Sequence, residues 1–344
     1  MSDANGRARD SGVTRVAVLG AGSWGTALAM QLVRAGACPV LWDWDAQHME
    51  AMRLAGRNEQ FMPDHPLPPE LVLEPDLETA VRSAGEILIV VPSHAFVGLI
   101  RQIEPWLRPG QGIAWACKGL EPGPGQFLHE PAQQLVGDSR PLAVVTGPSF
   151  AVEVAADLPT AVTVAGTQPE YCARIACLLH GGNFRAYTSD DIVGAELGGS
   201  LKNVLAIATG ICDGMGLGDN ARAALVTRGL AEMMRLGRVI GAREQTLTGL
   251  TGMGDLVLTC TGNLSRNRRL GLALGAGKSV DEAVAEIGQV VEGVKTAQEV
   301  WRLAQRHGVD MPICEQVYGI IYRGWNPYEC VRELLSREQR HETE

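Results

Sequence analysis

The sequence predicts an α/β chain: a doubly wound sheet domain in the N-terminal half, followed by an all-α C-terminal domain. Three observations point there. Short apolar runs alternate with helical stretches up to about residue 189. Beyond residue 190 strand-like runs vanish and helical periodicity takes over. A glycine-rich turn, GAGSWG at residues 20–25, joins the first apolar run to the first helical pattern. The length of 344 residues suits two domains. With 46% apolar and 20% charged residues the chain can fill a core, and wholesale disorder is excluded.

Residues 1–13 are polar, have no apolar h-region, and read as a loose tail rather than a secretory signal. Strands are expected at 15–19, 39–43, 86–91, 112–117, 142–146, 160–165 and 184–188. Several are nearly continuous in Val, Ile, Leu or Ala. That suits strands covered on both faces, as in a parallel sheet. Helical patterns fill 26–35, 46–57, 77–83 and 95–107. The pattern changes near 189–191, so one domain is expected over 14–190 and a helical one over 191–335. Helices in the second are expected at 193–212, 221–240, 280–287, 294–306 and 313–322. Leu197, Leu201, Val204, Leu205, Ala208 and Ile211 make one apolar stripe. Residues 336–344 form a polar tail. No repeat or low-complexity linker intervenes, so the two domains are expected to pack and share a cleft.

Composition removes several function classes. Thirty basic against 39 acidic residues leave a net charge of −9, without the positive field a nucleic-acid binder needs. No apolar run approaches the ~20 residues of a membrane span; residues 87–91 stop at Pro92. The eight cysteines form no CxxC pair and no zinc spacing. They read as reduced, mostly buried thiols of a cytoplasmic protein with no metal.

In the turn, Gly20 permits the tight bend, Gly22 lets backbone approach a pyrophosphate, and Gly25 lets helix and strand pack closely. The helix N-terminus that follows supplies free N–H groups to the anion. This makes residues 14–190 a Rossmann-like dinucleotide-binding domain. Asp43 and Asp45 stand at the end of the second strand, where an acid accepts from ribose hydroxyls and repels a 2′-phosphate. No arginine adjoins them, which favours NAD over NADP, although either aspartate can instead cap the next helix.

The chain has four lysines among 26 arginines. Lys118 follows the strand at 112–117, at the carboxyl end where α/β ligand sites lie. Lys202 lies within a helix, off its apolar stripe. Lysine can yield a proton where arginine cannot. If the two meet across the cleft, each lowers the other's pKa. One then serves as proton donor to a carbonyl oxygen and the other as an electrostatic clamp. The spacing alone fits two solvated lysines equally well. Gly252–Leu256 reads as a turn opening a short helix containing Asp255. Ser265, Arg266 and Asn267 suit a small phosphate monoester, whereas Arg268 and Arg269 read as a solvated helix start. The segment 147–151 is a strand-to-helix turn with N–H donors and a hydroxyl. His94 fits a capping or core role as well as a ligand contact.

Together these segments resemble the bacterial-type NAD(P)-dependent glycerol-3-phosphate dehydrogenases. The matching stretches are GAGSWGTALA, VVPSH, ACKGLE, TGPSFA, LGGSLKNVLAI, GMGDLVLTC, SRNRR and VVEG, in order from about residue 16 to residue 323. The resemblance implies reversible hydride transfer between the nicotinamide and C2 of dihydroxyacetone phosphate. The product, sn-glycerol 3-phosphate, feeds glycerophospholipid synthesis. It also implies that Lys202 transfers the proton, with Lys118 and Asn203 holding substrate oxygens and Asp255 orienting the lysines. Gly147 and Ser149 would line the site, and Ser265, Arg266 and Asn267 would bind the phosphate. Gly20, Gly22, Ser23, Trp24, Gly25, Lys118, Ala151, Arg266, Val290 and Glu292 would serve the cofactor. Trp44 replaces a basic residue that family members often carry near the adenosine ribose. Beside Asp43, that departure agrees with NAD. A homodimer through the helical domain is also expected. Competing readings are a hydroxyacid or ketopantoate-type reductase, whose substrates carry a carboxylate, and a nicotinamide-sensing protein without turnover.

Overall fold

Strands appear where apolar runs can be covered on both faces. The computed structural model describes residues 14–337; the expected tail at 1–13 and residues 338–344 of the one expected at 336–344 lie outside the described residues, while Ser336 belongs to the last helix rather than to a tail. The strands are β1 (Arg15–Leu19), β2 (Cys38–Trp42), β3 (Arg57–Asn58), β4 (Met62–Pro66), β5 (Val72–Leu73), β6 (Glu86–Ile89), β7 (Ile113–Trp115), β8 (Leu142–Thr146), β9 (Thr160–Gly166) and β10 (Phe184–Ser189). Eight form one sheet in the order β10-β9-β8-β7-β6-β1-β2-β5. Among the strands run α1 (Ser23–Arg34), α2 (Ala46–Ala55), α3 (Leu77–Ser83), α4 (Ser93–Ile103), α5 (His129–Val136), α6 (Ala151–Ala155) and α7 (Pro169–Leu179).

Side chains along each strand alternate between two cores. Val16 and Val18 join α1 and α7 on one face. Ala17 and Leu19 join α3, α4 and α5 on the other. This explains why the strands lack polar alternation. The chain leaves β1 for β2 on one side and returns to β6 on the other. That reversal opens a crevice beyond the carboxyl ends of β1 and β6, the usual ligand position in open α/β sheets.

The sheet is not wholly parallel, as the apolar runs had suggested. β9 runs antiparallel to β8, with Val144 opposite Ala165. The link between them contains only the five-residue α6. That helix runs only ~7.5 Å, less than half the ~17 Å of a five-residue strand, and the chain doubles back. Polarity hid β3 and β4, and shortness hid the two-residue β5. The helix expected to reach residue 57 stops at Ala55, because Gly56 takes a left-handed cap with φ 62°. Helices α5 and α7 were also not anticipated.

After Ser189 there are no further strands among the described residues, and α8 (Ile192–Gly214) starts the helical half. It is followed by α9 (Asp219–Ile240), α10 (Glu244–Leu247), a π-helical turn (Leu250–Gly254), α11 (Asp255–Thr261), α12 (Arg266–Gly275), α13 (Val280–Ile287), α14 (Glu292–His307), α15 (Pro312–Arg323) and α16 (Pro327–Ser336). α8 is buried almost all round rather than along one stripe. Its glycines explain how. A Cβ on Gly210 would lie 2.2 Å from the Arg268 carbonyl, and one on Gly271 would lie 2.1 Å from the Ile207 carbonyl. Gly214 and Gly275 repeat the pattern one turn on. α8 and α12 therefore touch backbone to backbone. Arg268 closes this seam as a buried ion pair, its Nη2 2.6 Å from Asp213 Oδ2, rather than as the solvated group expected; Arg269 is exposed.

Candidate active site

The glycine turn has the shape its motif requires. Gly20 sits at φ 119°, and a Cβ there would come within 2.6 Å of the Val90 carbonyl. A Cβ on Gly25 would lie 1.8 Å from the Gly20 carbonyl, so helix and strand pack as closely as glycine allows. Gly22 has nothing within 4 Å of its missing side chain, and no side chain caps α1. The first N–H groups of α1, at Ser23 and Trp24, remain available to an anion. An open Gly22 face over uncapped amides fits a dinucleotide pyrophosphate.

The two acids after β2 divide their roles. Asp43 accepts from the Ala21 amide at 2.7 Å and from the Asp45 amide at 3.2 Å, which places it against the glycine turn. Asp45 caps α2 through the Gln47 and His48 amides, so its expected alternative role as ribose acceptor gives way to capping. Trp44 is exposed. The segment around β3 and β4 braces the turn: Asn58 Nδ2 donates to the Ala21 carbonyl at 2.7 Å, and Ser23 Oγ donates to Phe61 O at 3.1 Å.

Lys118 and Lys202 do meet. Lys118 Nζ lies 2.9 Å from Asp255 Oδ2, and Lys202 Nζ lies 2.5 Å from Asp255 Oδ1. One carboxylate from the first turn of α11 bridges an ammonium from the sheet and another from α8. Lys118 also donates to Gly147 O at 3.0 Å and reaches Ser149 Oγ at 3.5 Å. Its Nζ is 6.0 Å from the centre of the Trp24 ring, which links the lysines to the glycine turn. Asp255 and Lys202 are buried. Burial alone raises the Asp255 pKa, but the charges of Lys118 and Lys202 overcome it and hold the carboxyl below its ordinary range. Burial, reinforced by Lys118 and opposed by Asp255, pushes Lys202 down to about 7.

A chain of amides extends from the lysines. Asn203 donates to Lys118 O at 3.2 Å, Asn267 donates to Asn203 Oδ1 at 2.8 Å, and Gly293 N donates to Asn267 Oδ1 at 2.9 Å. Ser265 caps α12 by accepting from Arg268 N at 3.2 Å. Arg266 starts that helix and reaches Val290 O at 2.9 Å. Glu292 accepts from Ser93 N at 3.3 Å and Ser93 Oγ at 2.8 Å. Ala151, half-buried, opens α6. His94 is exposed on the first turn of α4. Thr259 and Ser93 went unremarked in the sequence. Thr259 Oγ1 lies 3.4 Å from Asp255 Oδ1, and its spacing of four from Asp255 on one helix was the available signal.

Among the described residues no group of three or more His, Cys, Asp or Glu could hold a metal. No helix there is long and apolar enough to cross a membrane. The described cysteines are all free, and most are buried.

Known proteins resemble this chain in sequence and fold. Residues 15–172 match the family model for the N-terminus of NAD-dependent glycerol-3-phosphate dehydrogenase, and residues 191–332 match the one for its C-terminus. A glycerol-3-phosphate dehydrogenase (NAD(P)+) of Stenotrophomonas maltophilia is 57% identical over 328 residues, covering 95% of this chain and 96% of that one. The crystal structure of a glycerol-3-phosphate dehydrogenase from Coxiella burnetii superposes with a TM-score of 0.91 at 48% identity, covering 94% of this chain and 99% of that one. A ketopantoate reductase from Ralstonia eutropha reaches a TM-score of 0.58 at 16% identity, over 92% of this chain and 99% of that one, a likeness of fold alone. With both halves matched in order and near full-length identity above one half, the chain belongs to the NAD-dependent glycerol-3-phosphate dehydrogenase family.

Proposed function

We propose that this chain reversibly reduces dihydroxyacetone phosphate to sn-glycerol 3-phosphate, a glycerophospholipid precursor. The observation that carries the reading is the Lys118–Asp255–Lys202 bridge beside the glycine turn. A nicotinamide cofactor held at the glycine turn of Gly20, Gly22 and Gly25 would supply the hydride chemistry at C2. Lys202 Nζ gives its proton to the C2 oxygen in reduction and takes it back in oxidation. Lys118 holds the same end of the substrate and stabilises negative charge developing on that oxygen. Asp255 keeps both ammonium groups aimed at one point. Asn203 aligns the substrate from α8, and Gly147 and Ser149 close the wall behind Lys118. Arg266, with the first turn of α12 behind Ser265 and Asn267, takes the phosphate, whose binding energy positions C2. Val290, Glu292 and Ala151 would help hold the cofactor.

NADH is the preferred reductant in this reading, because Asp43 stands at the ribose end of the turn with no arginine adjoining it. A cytoplasmic homodimer completes the proposal; light scattering on the purified chain tests the dimer. The decisive assay follows NADH and NADPH absorbance side by side with dihydroxyacetone phosphate and with 2-keto acids. Oxidation of NADH by dihydroxyacetone phosphate is expected; turnover of 2-keto acids alone would overturn the reading.

The phosphate site makes a separate prediction. Arg266→Ala removes a charge-assisted contact of about 1.5–3 kcal/mol, so the KM for dihydroxyacetone phosphate rises roughly ten- to a hundredfold. Steady-state kinetics at saturating NADH reads this directly. An unchanged KM removes Arg266 from the phosphate site.

A further inference from the structure

We propose that Glu196 is a positioning residue that keeps Lys118 and Lys202 on one carboxylate, by tying the strand before the first lysine to the helix carrying the second. Glu196 touches neither lysine in any contact described above. It lies on the first two turns of α8 and is buried, with only 4% of its surface exposed. Its carboxylate takes three hydrogen bonds, all from the sheet domain. Trp115 Nε1 donates to Oε1 at 3.2 Å, the His129 backbone N–H donates to Oε1 at 3.2 Å, and His129 Nδ1 pairs with Oε2. A carboxylate this deep is costly unless several donors surround it.

The geometry explains what the group does. From Trp115 to Lys118 is three extended residues, about 10 Å. From Glu196 to Lys202 is six helical residues, about 9 Å. The two arms run from one tie to another of matching reach. Glu196 joins them at the far end, and Asp255 with Asn203 joins them at the near end. Between these ties Gly199 lies against the sheet, where a Cβ would stand 3.0 Å from Thr146 Oγ1. Without the far tie, α8 can pivot on the seam it makes with α12, and Lys202 moves relative to Lys118. The titratable groups acting on Lys202 are Asp255 and Lys118, and its charge is also felt by Cys260 of α11. α11, packed along α8, carries Asp255 with Lys202, so the pivot withdraws Lys118 alone; the loss of that positive neighbour raises the Lys202 pKa.

The inference rests on Lys202 as the proton carrier, and the test separates the two. Glu196→Ala, Glu196→Gln and Lys202→Ala are compared with the full-length unsubstituted chain, recording kcat, KM, NADH affinity and the pH midpoint of dihydroxyacetone phosphate reduction. Glu196→Ala is expected to lower kcat by about tenfold or more, since small displacements of reacting groups carry large rate penalties. Its pH midpoint is expected to rise by about half a unit or more. NADH affinity stays within about twofold, because the glycine turn is untouched. Glu196→Gln recovers part of the rate, since its amide oxygen still accepts from Trp115. If Glu196→Ala does not fold, Trp115→Phe removes one donor, leaves an aromatic ring in the core, and shows a smaller shift in the same direction. A loss of kcat with an unmoved midpoint, or one matched by the unfolded fraction in circular dichroism, overturns the positioning role. A midpoint that survives Lys202→Ala instead overturns the proton assignment.

Discussion

Lys202→Ala lowers turnover of dihydroxyacetone phosphate by about a thousandfold or more, while NADH still binds. Two effects are lost together. The proton donor disappears, a loss of roughly 10²–10⁴ in rate. The ammonium that stabilises the developing alkoxide goes with it. Cofactor binding survives because the glycine turn and α1 belong to the sheet domain. The pH dependence has a defined sign. With its pKa near 7, Lys202 carries its proton below that pH, as reduction requires. Reduction therefore slows as pH rises through the midpoint, and oxidation of glycerol 3-phosphate, which needs the free amine, speeds up. Lys202→Arg stays protonated at every accessible pH, so it abolishes oxidation and flattens the profile. Stopped-flow NADH absorbance from about pH 5.5 to about pH 9, on both sides of the midpoint, measures both arms. Near-normal turnover in Lys202→Ala would remove the residue from the reaction.

Gly271→Val prevents stable folding of the helical domain. The seam between α8 and α12 has no room for a side chain, because the atom opposing a Cβ at Gly271 is the Ile207 carbonyl, 2.1 Å away. Backbone cannot rotate aside as a side chain can. α8 would have to move bodily, breaking the Asn203–Asn267 hydrogen bond and the Asp213–Arg268 ion pair. Overpacking alone costs about 1–3 kcal/mol. Breaking buried polar pairs brings the total to about 4 kcal/mol or more, a large share of a typical 5–15 kcal/mol stability. Insoluble protein, or a Tm lowered by roughly 10 °C or more, is the expected result. Gly98→Ala is the matched control, since a Cβ there meets nothing within 4 Å. A Gly271→Val protein melting like the control would show that the seam can open.

Much of this is legible in the sequence. Buried strands announce themselves as unbroken apolar runs, so β1, β6 and β8 could be read directly. The glycine turn was legible because its conformation admits few residues besides glycine. Lys118 was visible as a lysine at a strand end in a chain that otherwise uses arginine. Other features have no local signature. The direction of β9 depends on how far α6 can carry the chain. The choice between Asp43 and Asp45 depends on which one α2 takes as its cap. Asn58 matters only because its hairpin folds back on the glycine turn.

Residue chemistry and short-range periodicity are properties of neighbours in the chain, and they established a Rossmann-like half, a helical half and a set of proton-bearing and anion-binding groups. Asp255 stands 137 residues from Lys118 and 53 from Lys202, so no periodicity links the three. Their meeting depends on α8 lying against the sheet, α12 lying against α8, and a π-helical turn presenting the carboxylate. Long-range packing brings those backbones together, because burying their apolar faces and matching their glycine surfaces admits one arrangement.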